Sequence, residues 1–426
     1  MTDRRVHGLA RTTGPRYRAR VDVMSSGARI SRGAAPSRWV QPLSLAIALS
    51  ALISFGILGV ARHGTAAHGV WAIDLDVFQA AGRTWLTGES PYDRSSLDRH
   101  FPREGPYLPA FASPPVTAPF FMALAPLSQS TAMRVLQALD LLAVALLAWL
   151  TARMAWEPVT PGLVPASRAV IWYFPALFAF STLTIQTLWL GQVSLIGAAA
   201  LQGTWYLDRK QRPIGAGICL AVASIKPHLM MLPLLWFLLE RRWRLIEVSG
   251  IAAIVLMAYP LAVNGPIAEM KAWLAAVHDY KTHTPNLLGS CFVLGIPSLI
   301  AAAGGPALDL TLAGLALTGI LWLFRNRICE DDVPALLPLI ALAIVYGHDL
   351  DAVYLAPLAV SLTLHLPGRP LASALVVVLV LLFFIPSRLI CQFEVPVLDQ
   401  WRSVICVVFL GWLLWLSARH VALQQG

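Results

Sequence analysis

Charge is what this sequence has least of. Asp, Glu, Lys and Arg make up 13% of its 426 residues, about half the ~25% usual for soluble domains. With a mean hydropathy of +0.65, the chain lacks the polar surface that an ordinary soluble enzyme turns to water. Familiar catalytic signatures are missing as well. There is no P-loop, GxSxG, HExxH or Rossmann glycine pattern. The five cysteines (Cys219, Cys291, Cys329, Cys391, Cys406) include no CxxC pair and no paired spacing. They are therefore expected to be small buried hydrophobes, with neither a disulfide framework nor a metal centre. No second copy of the polar stretch near residue 74 is found, which weakens a transporter built from repeats.

What the sequence does have is apolar runs of roughly 17–23 residues, long enough to cross a hydrocarbon core as helices. The fold class expected is an all-α polytopic membrane protein. The net charge of +9 does not indicate nucleic acid. Nine arginines fall within residues 1–38 and others in short loops, the positive-inside pattern. Residues 1–38 read as a disordered basic cytoplasmic tail, and Trp39–Val60 as a first span. Residues 39–420 form one transmembrane domain, in which residues 61–130 are a long first extracytoplasmic loop with amphipathic helices. Residues 421–426 return to the cytoplasm.

The apolar runs add up to about ten to thirteen transmembrane helices, and the best count is about twelve crossings with both ends cytoplasmic. Some are short or broken. Pro114–Leu127 is proline-studded and reads as re-entrant or interfacial. Between the basic loops Asp208–Arg212 and Glu240–Arg244 lie only 27 residues, split by Lys226-Pro227. Two half-length helices of about 13 residues fit there, but two full spans do not. Arg168–Trp189 reads as the third span, and Asn264–Ser290 as a polar outer loop.

The stretch Ile73–Asp93, IDLDVFQAAGRTWLTGESPYD, is a polar island in this apolar chain. Asp76 followed by Gln79 has the spacing of a capping box, which would make Asp76 the start of a helix. Asp74 then lies just outside it, with no amide to cap and a carboxylate able to accept a proton. Tyr92, in the turn Gly88–Tyr92, is an interface anchor by default and a substrate contact otherwise. Gln192 sits in a very short turn after Trp189 and Gly191, where it either satisfies backbone groups or faces a ligand. Lys226 is an ammonium between two half-helices. Such a charge usually has a partner or a ligand, although snorkelling is the plain alternative. His228 accompanies it. His348, Asp349 and Asp351 form a second polar cluster: either Asp349 or Asp351 caps the helix that follows, or His348 is a phosphate-facing or hydrogen-bonding group beside Asp349. Asn286, His278, His283 and Arg388 are weaker candidates.

The motifs DLDVF (Asp74–Phe78), AGRTWLTGESPYD (Ala81–Asp93), FASPPV (Phe111–Val116), WLGQVS (Trp189–Ser194) and ASIKPHL (Ala223–Leu229) stand in a particular order. Over about residues 40–360 the chain resembles the polyprenol-phosphate-sugar-dependent glycosyltransferases of family 87, multispanning enzymes of the glycosyltransferase-C superfamily that include mannosyltransferases. The resemblance implies a glycosyltransferase-C-like fold in the bacterial plasma membrane with an extracytoplasmic active site. It implies a polyprenyl-phosphate sugar donor, a glycolipid or glycan acceptor, and an acidic base at Asp74. It also marks departures: Ser113 stands where the family has an aromatic residue before Pro-Pro, and Phe78-Gln79 where it has a tyrosine pair. Donor-phosphate or substrate contacts are then expected from Lys226, His348, Asp349, Gln192, Asp76, Tyr92 and Arg388. No cofactor or metal is required and no nucleic-acid partner is expected. The competing classes are a lipid-linked-sugar transporter or flippase, and a silent envelope scaffold.

Overall fold

The computed structural model describes residues 72–101, 111–163, 181–283, 286–366 and 370–425. The expected tail and first span, and most of the third span, lie outside these residues. So does the side chain of Arg388.

The described chain is helical almost throughout. The helices are α1 (Ile73–Leu86), α2 (Arg94–His100), α3 (Ala118–Leu124), α4 (Gln129–Trp156), α5 (Thr182–Leu190), α6 (Ser194–Arg209), α7 (Pro213–Ala223) and α8 (Pro227–Leu239). They are followed by α9 (Trp243–Asn264), α10 (Pro266–Tyr280), α11 (Ile296–Ala302), α12 (Thr311–Leu323), α13 (Val333–Ile340), α14 (Ala356–His365), α15 (Pro370–Phe383) and α16 (Trp401–Gln425). Among the described residues a single short antiparallel ladder joins β1 (Val293–Leu294) to β2 (Gly347–His348), with Val293 opposite His348.

Among the described residues three helices are long and apolar enough to cross a membrane: Gln129–Trp156, Trp243–Asn264 and Leu398–Gln424. In α9 only 6% of the most apolar window is buried against protein. Ile251, Ile254 and Val255 point outward, so hydrocarbon rather than water is the solvent that suits this helix. Five shorter apolar helices accompany these three, and α7 and α8 are two of them. The half-length pair expected between the basic loops is thus present, broken at Lys226. Pro227 sits at the first position of α8, where its missing N–H leaves no bond unmade.

Two hydrophobic cores result. The smaller gathers Leu75, Phe78, Trp85, Phe111, Phe121 and Leu136 from the first loop and the start of α4. The larger joins α4, α6–α8 and α13–α16. Gly82 lets α1 and α3 touch, since a Cβ there would meet the Phe121 carbonyl oxygen at 2.2 Å. Ile196 packs against both cores and Ile225 against the smaller, which puts Gln192 and Lys226 close to the seam.

Three expectations are corrected. The region after Asn264 is not a loop, because α10 occupies most of it. Glu269 of α10 accepts a hydrogen bond from Trp85 Nε1 at 2.9 Å, tying α10 to α1. Second, Asp76 and Gln79 do not cap a helix. The helix starts earlier, at Ile73, with Ala72 as its left-handed N-cap and no side-chain cap bond. Asp74 and Asp76 are therefore both in the first turn, and Asp76 is fully buried. Asp76 accepts from Gln129 Nε2 at 2.6 Å, and the Gln79 amide donates to the carbonyls of Leu124 and Leu127. Tertiary partners outcompeted the local cap. Third, Cys291 and Cys391 are joined in a disulfide, 100 residues apart. Cys329 and Cys406 are buried free thiols and Cys219 is partly buried.

Candidate active site

The site is assembled from three turns. The first is made by Gly191, which ends α5 with φ 74°, a conformation that glycine adopts without strain. A Cβ at Gly191 would stand 2.8 Å from Leu75 Cβ, so only glycine lets this turn lie against α1. The Ala72 N–H donates to the Trp189 carbonyl at 3.2 Å and pins the start of α1 to the same turn. Gln192 is thereby brought beside Asp74, and its side chain hydrogen-bonds to the carboxyl. The Gln192 carbonyl oxygen has no partner, consistent with its amide donating to Asp74.

Burial raises the Asp74 carboxyl to about 6; the Gln192 hydrogen bond and the Lys226 ammonium pull the other way, and Asp76 adds to the rise. Asp74 keeps part of its surface accessible. Such a carboxyl is largely ionised at neutral pH, yet much more basic than an ordinary aspartate.

The second turn is the break between α7 and α8. It holds Lys226 Nζ 3.1 Å from Asp351 Oδ1. The third is the turn 346–351. Here α13 continues as a π-helical turn, Ala341–Val345, which ends at Tyr346 and leads into β2. Asp351 is fully buried. Its Oδ2 accepts from His228 Nε2 at 3.0 Å and from the His348 backbone N–H at 3.0 Å, while Ser194 Oγ donates to Oδ1 at 3.4 Å. Burial alone would raise this carboxyl. The Lys226 charge and the His228 bond outweigh it and hold Asp351 well below the usual carboxylate range. Ionised Asp351 thus orients Lys226, whose ammonium has three donors and spends one on this contact.

His348 Nε2 contacts Tyr346 Oη at 3.1 Å and Tyr280 Oη at 3.3 Å. Burial lowers its pKa, so the ring is neutral at neutral pH. The Tyr346 hydroxyl also reaches the Asn286 carbonyl at 3.2 Å, and the Asn286 amide donates to the Tyr280 carbonyl. These residues brace the turn.

The other expected site residues fall elsewhere. Asp349 is separate from the Asp351 group. It accepts from Ser387 Oγ at 2.8 Å and pairs with Arg402 Nη1 at 3.3 Å. Arg402 is 1% exposed and also donates to the carbonyls of Phe383 and Ile385. Tyr92 donates to the Ser113 carbonyl at 2.7 Å and stacks on Phe111, so it serves the small core. Asp76 belongs to Gln129. His278 is exposed and His283 half-buried, and neither joins the cluster.

The structure therefore brings together Asp74, Gln192, Lys226 and the His348 turn. It adds Asp351, which sequence reasoning weighed only as a cap, and His228, which it left undecided. Tyr280 and Tyr346 were not singled out by sequence; they come from a helix read as a loop and from the turn itself.

Neither the curated proteins nor the solved structures hold a match to this chain. The family model of glycosyltransferase family 87 matches residues 111–347, a stretch that includes the Gln192 turn and the Lys226 break. Asp74 and Asp351 lie on either side of it, so their roles rest on the geometry. A match over more than half of the length, on a helical membrane frame, is sufficient: the chain belongs to glycosyltransferase family 87.

Proposed function

We propose that the protein transfers a sugar, mannose or a similar hexose or pentose, from a polyprenyl-phosphate donor to a lipid or glycan acceptor on the extracytoplasmic side of a bacterial plasma membrane. The observation that carries this reading is the Asp74 carboxyl, raised by burial to about 6 and close enough to feel the charge of Lys226, which is itself paired with Asp351. A base and a cation on opposing turns suit a sugar phosphate lodged between them.

Asp74 takes the proton of the acceptor hydroxyl as that oxygen attacks the anomeric carbon. The bond from that carbon to the phosphate oxygen breaks, and the polyprenyl phosphate departs with the electron pair. A single displacement inverts the anomeric centre. A lipid phosphate is stable as an anion, so no general acid is needed. Lys226 supplies charge where the leaving group develops it, with Asp351 and His228 holding it in position.

Two further observations support the reading. An apolar cleft lined by Leu195, Val353, Leu358, Phe383 and Phe409 reaches Ala352, the residue after Asp351, and suits an isoprenoid chain. The Cys291–Cys391 disulfide lies near the His348 turn, since Phe292 accepts from the Asp349 N–H at 2.9 Å. Disulfides persist in oxidising compartments, which favours an extracytoplasmic site.

The test is transfer by purified protein from a panel of polyprenyl-phosphate sugars to membrane glycolipids, with products read by mass spectrometry. Transfer by the wild type and its loss in Asp74→Asn are expected. Full transfer by Asp74→Asn would remove the base assignment, and no consumption of any donor would remove the donor class.

A further inference from the structure

A second polar cluster lies at the other end of the α13–α14 hairpin. Asp332 immediately precedes α13, and His365 is the last residue of α14. The catalytic turn 346–351 joins the two helices at their opposite ends, about 20 Å away at 1.5 Å per residue. Cys329, three residues before Asp332, completes the cluster.

All three residues are buried: Cys329 and Asp332 fully, His365 to within 6%. Their ligating atoms all lie within 4.8 Å of one another. His365 Nε2 is 2.8 Å from Asp332 Oδ2, while Asp332 Oδ1 is buried with no hydrogen-bond partner. A buried carboxylate oxygen without a donor is costly. The adjacent acid does not share this fate, because Asp331 accepts from the backbone of Val159 and Thr160 and pairs with Arg209 at 2.8 Å. Cys329 is fixed by α16: its N–H donates to Ser417 Oγ at 2.7 Å, and its thiol lies 3.6 Å from the Ser417 carbonyl.

We infer that Cys329, Asp332 and His365 bind one divalent transition-metal ion of the zinc class. A thiolate, an imidazole and a carboxylate are the donors such ions take, whereas magnesium and calcium prefer oxygen alone. A dipositive ion with one thiolate, one carboxylate and a neutral imidazole leaves no net charge in the buried site. Tetrahedral coordination separates ligand atoms by about 3.3–3.8 Å, so the widest gap closes by roughly 1 Å and the His365–Asp332 contact opens slightly. On binding, the Cys329 thiol and the His365–Asp332 contact give up any protons they hold to solvent; no electron transfer is involved. The ion ties the turn before α13, the end of α14 and α16 into one clasp, and this holds the hairpin that presents Asp351. The site is independent of the glycosyl-transfer reading.

The alternative is a His–Asp hydrogen bond alone. Full-length protein, purified in detergent with any affinity tag removed, separates the two by elemental analysis and by Co²⁺ titration after chelator treatment. About one zinc-class ion per chain is expected, with a saturable cobalt spectrum that includes a thiolate charge-transfer band. Cys329→Ser should abolish that band, and Asp332→Asn should weaken Co²⁺ binding at least tenfold. Metal at less than about one-tenth per chain, with no saturable cobalt spectrum in the wild type, overturns the inference. A thiolate band that survives Cys329→Ser overturns it too. The wild-type measurements decide even if a variant fails to fold.

Discussion

Lys226 Nζ stands 3.1 Å from Asp351 Oδ1, joining the break between α7 and α8 to the turn that follows β2. A lone buried carboxylate or ammonium is strongly disfavoured, so each group fixes the other. If Lys226 faces the leaving phosphate, Lys226→Ala should lower kcat/KM by about 10²–10³-fold, the usual cost of losing one such donor. Asp351→Asn should cost less, about tenfold, because the cation remains but is misplaced. The double variant should resemble Lys226→Ala alone, since coupled residues are not additive. Steady-state rates on all three proteins check this, and additive losses would show that the pair does not act as a unit.

The raised Asp74 carboxyl gives a pH dependence. A general base must be ionised, so kcat/KM should rise with pH and level off above about 6. Gln192→Ala removes the bond that favours the ionised form, so the limb should move to higher pH while the plateau survives. Asp74→Asn should lower the plateau by about 10²–10⁴-fold. A pH profile of the three proteins is sufficient, and an unmoved limb in Gln192→Ala would separate Gln192 from the base.

The same shift predicts a trade between activity and stability. The folded protein holds the Asp74 proton more tightly than the unfolded chain does. Stability is therefore fully present below the unfolded value of 3.8 and is lost as pH rises toward about 6. The loss is at most about 3 kcal/mol, and solvent reaching the carboxyl makes it smaller. Asp74→Asn removes this penalty. Its Tm in detergent should exceed the wild-type value at pH 8 by more than it does at pH 4. An equal difference at both pH values would contradict the raised carboxyl.

Much of this frame is legible in the sequence because membrane solvation is a strong local constraint. Apolar length reveals α4 and α9, and the 27 residues between basic loops reveal the broken pair α7–α8. Lys226 stands out for the same reason, as a charge where charge is expensive. What could not be read depends on contacts distant in the chain. The Asp76–Gln79 spacing fits a cap perfectly well, yet Gln129, 53 residues later, claims the carboxylate. Asp349 and Asp351 are near neighbours in one motif, but the fold sends one to Arg402 and the other to Lys226. The partners of Cys291 and Cys391 are 100 residues apart, and no spacing rule connects them.

That disulfide makes a separate prediction. Closing a loop of about 100 residues is worth up to ~4–5 kcal/mol in the chain-entropy account. Cys291→Ser/Cys391→Ser should lower Tm in detergent and loosen the turn beside Phe292. Thiol labelling of denatured, unreduced wild-type protein should modify Cys219, Cys329 and Cys406 only, and reduction should add two sites. Five labelled cysteines before reduction would show that the bond does not form in the cell.

The last prediction distinguishes structure from chemistry at neighbouring residues. Asp349 and Arg402 are both nearly inaccessible, and Arg402 is held by two backbone carbonyls and Ser387 as well as by Asp349. Removing one partner of a buried pair typically costs about 3–5 kcal/mol, because the other charge is left uncompensated. Asp349→Asn should therefore lower Tm markedly while protein that stays folded retains most of its kcat/KM. Arg402→Met combined with Asp349→Leu should recover part of the lost stability, since apolar replacements of buried pairs are often neutral. Asp351→Asn, which also leaves a charged partner uncompensated, should differ by adding a kinetic loss of about tenfold. If Asp349→Asn abolishes transfer without lowering Tm, then Asp349 belongs to the substrate site and the division of labour between the two aspartates is wrong.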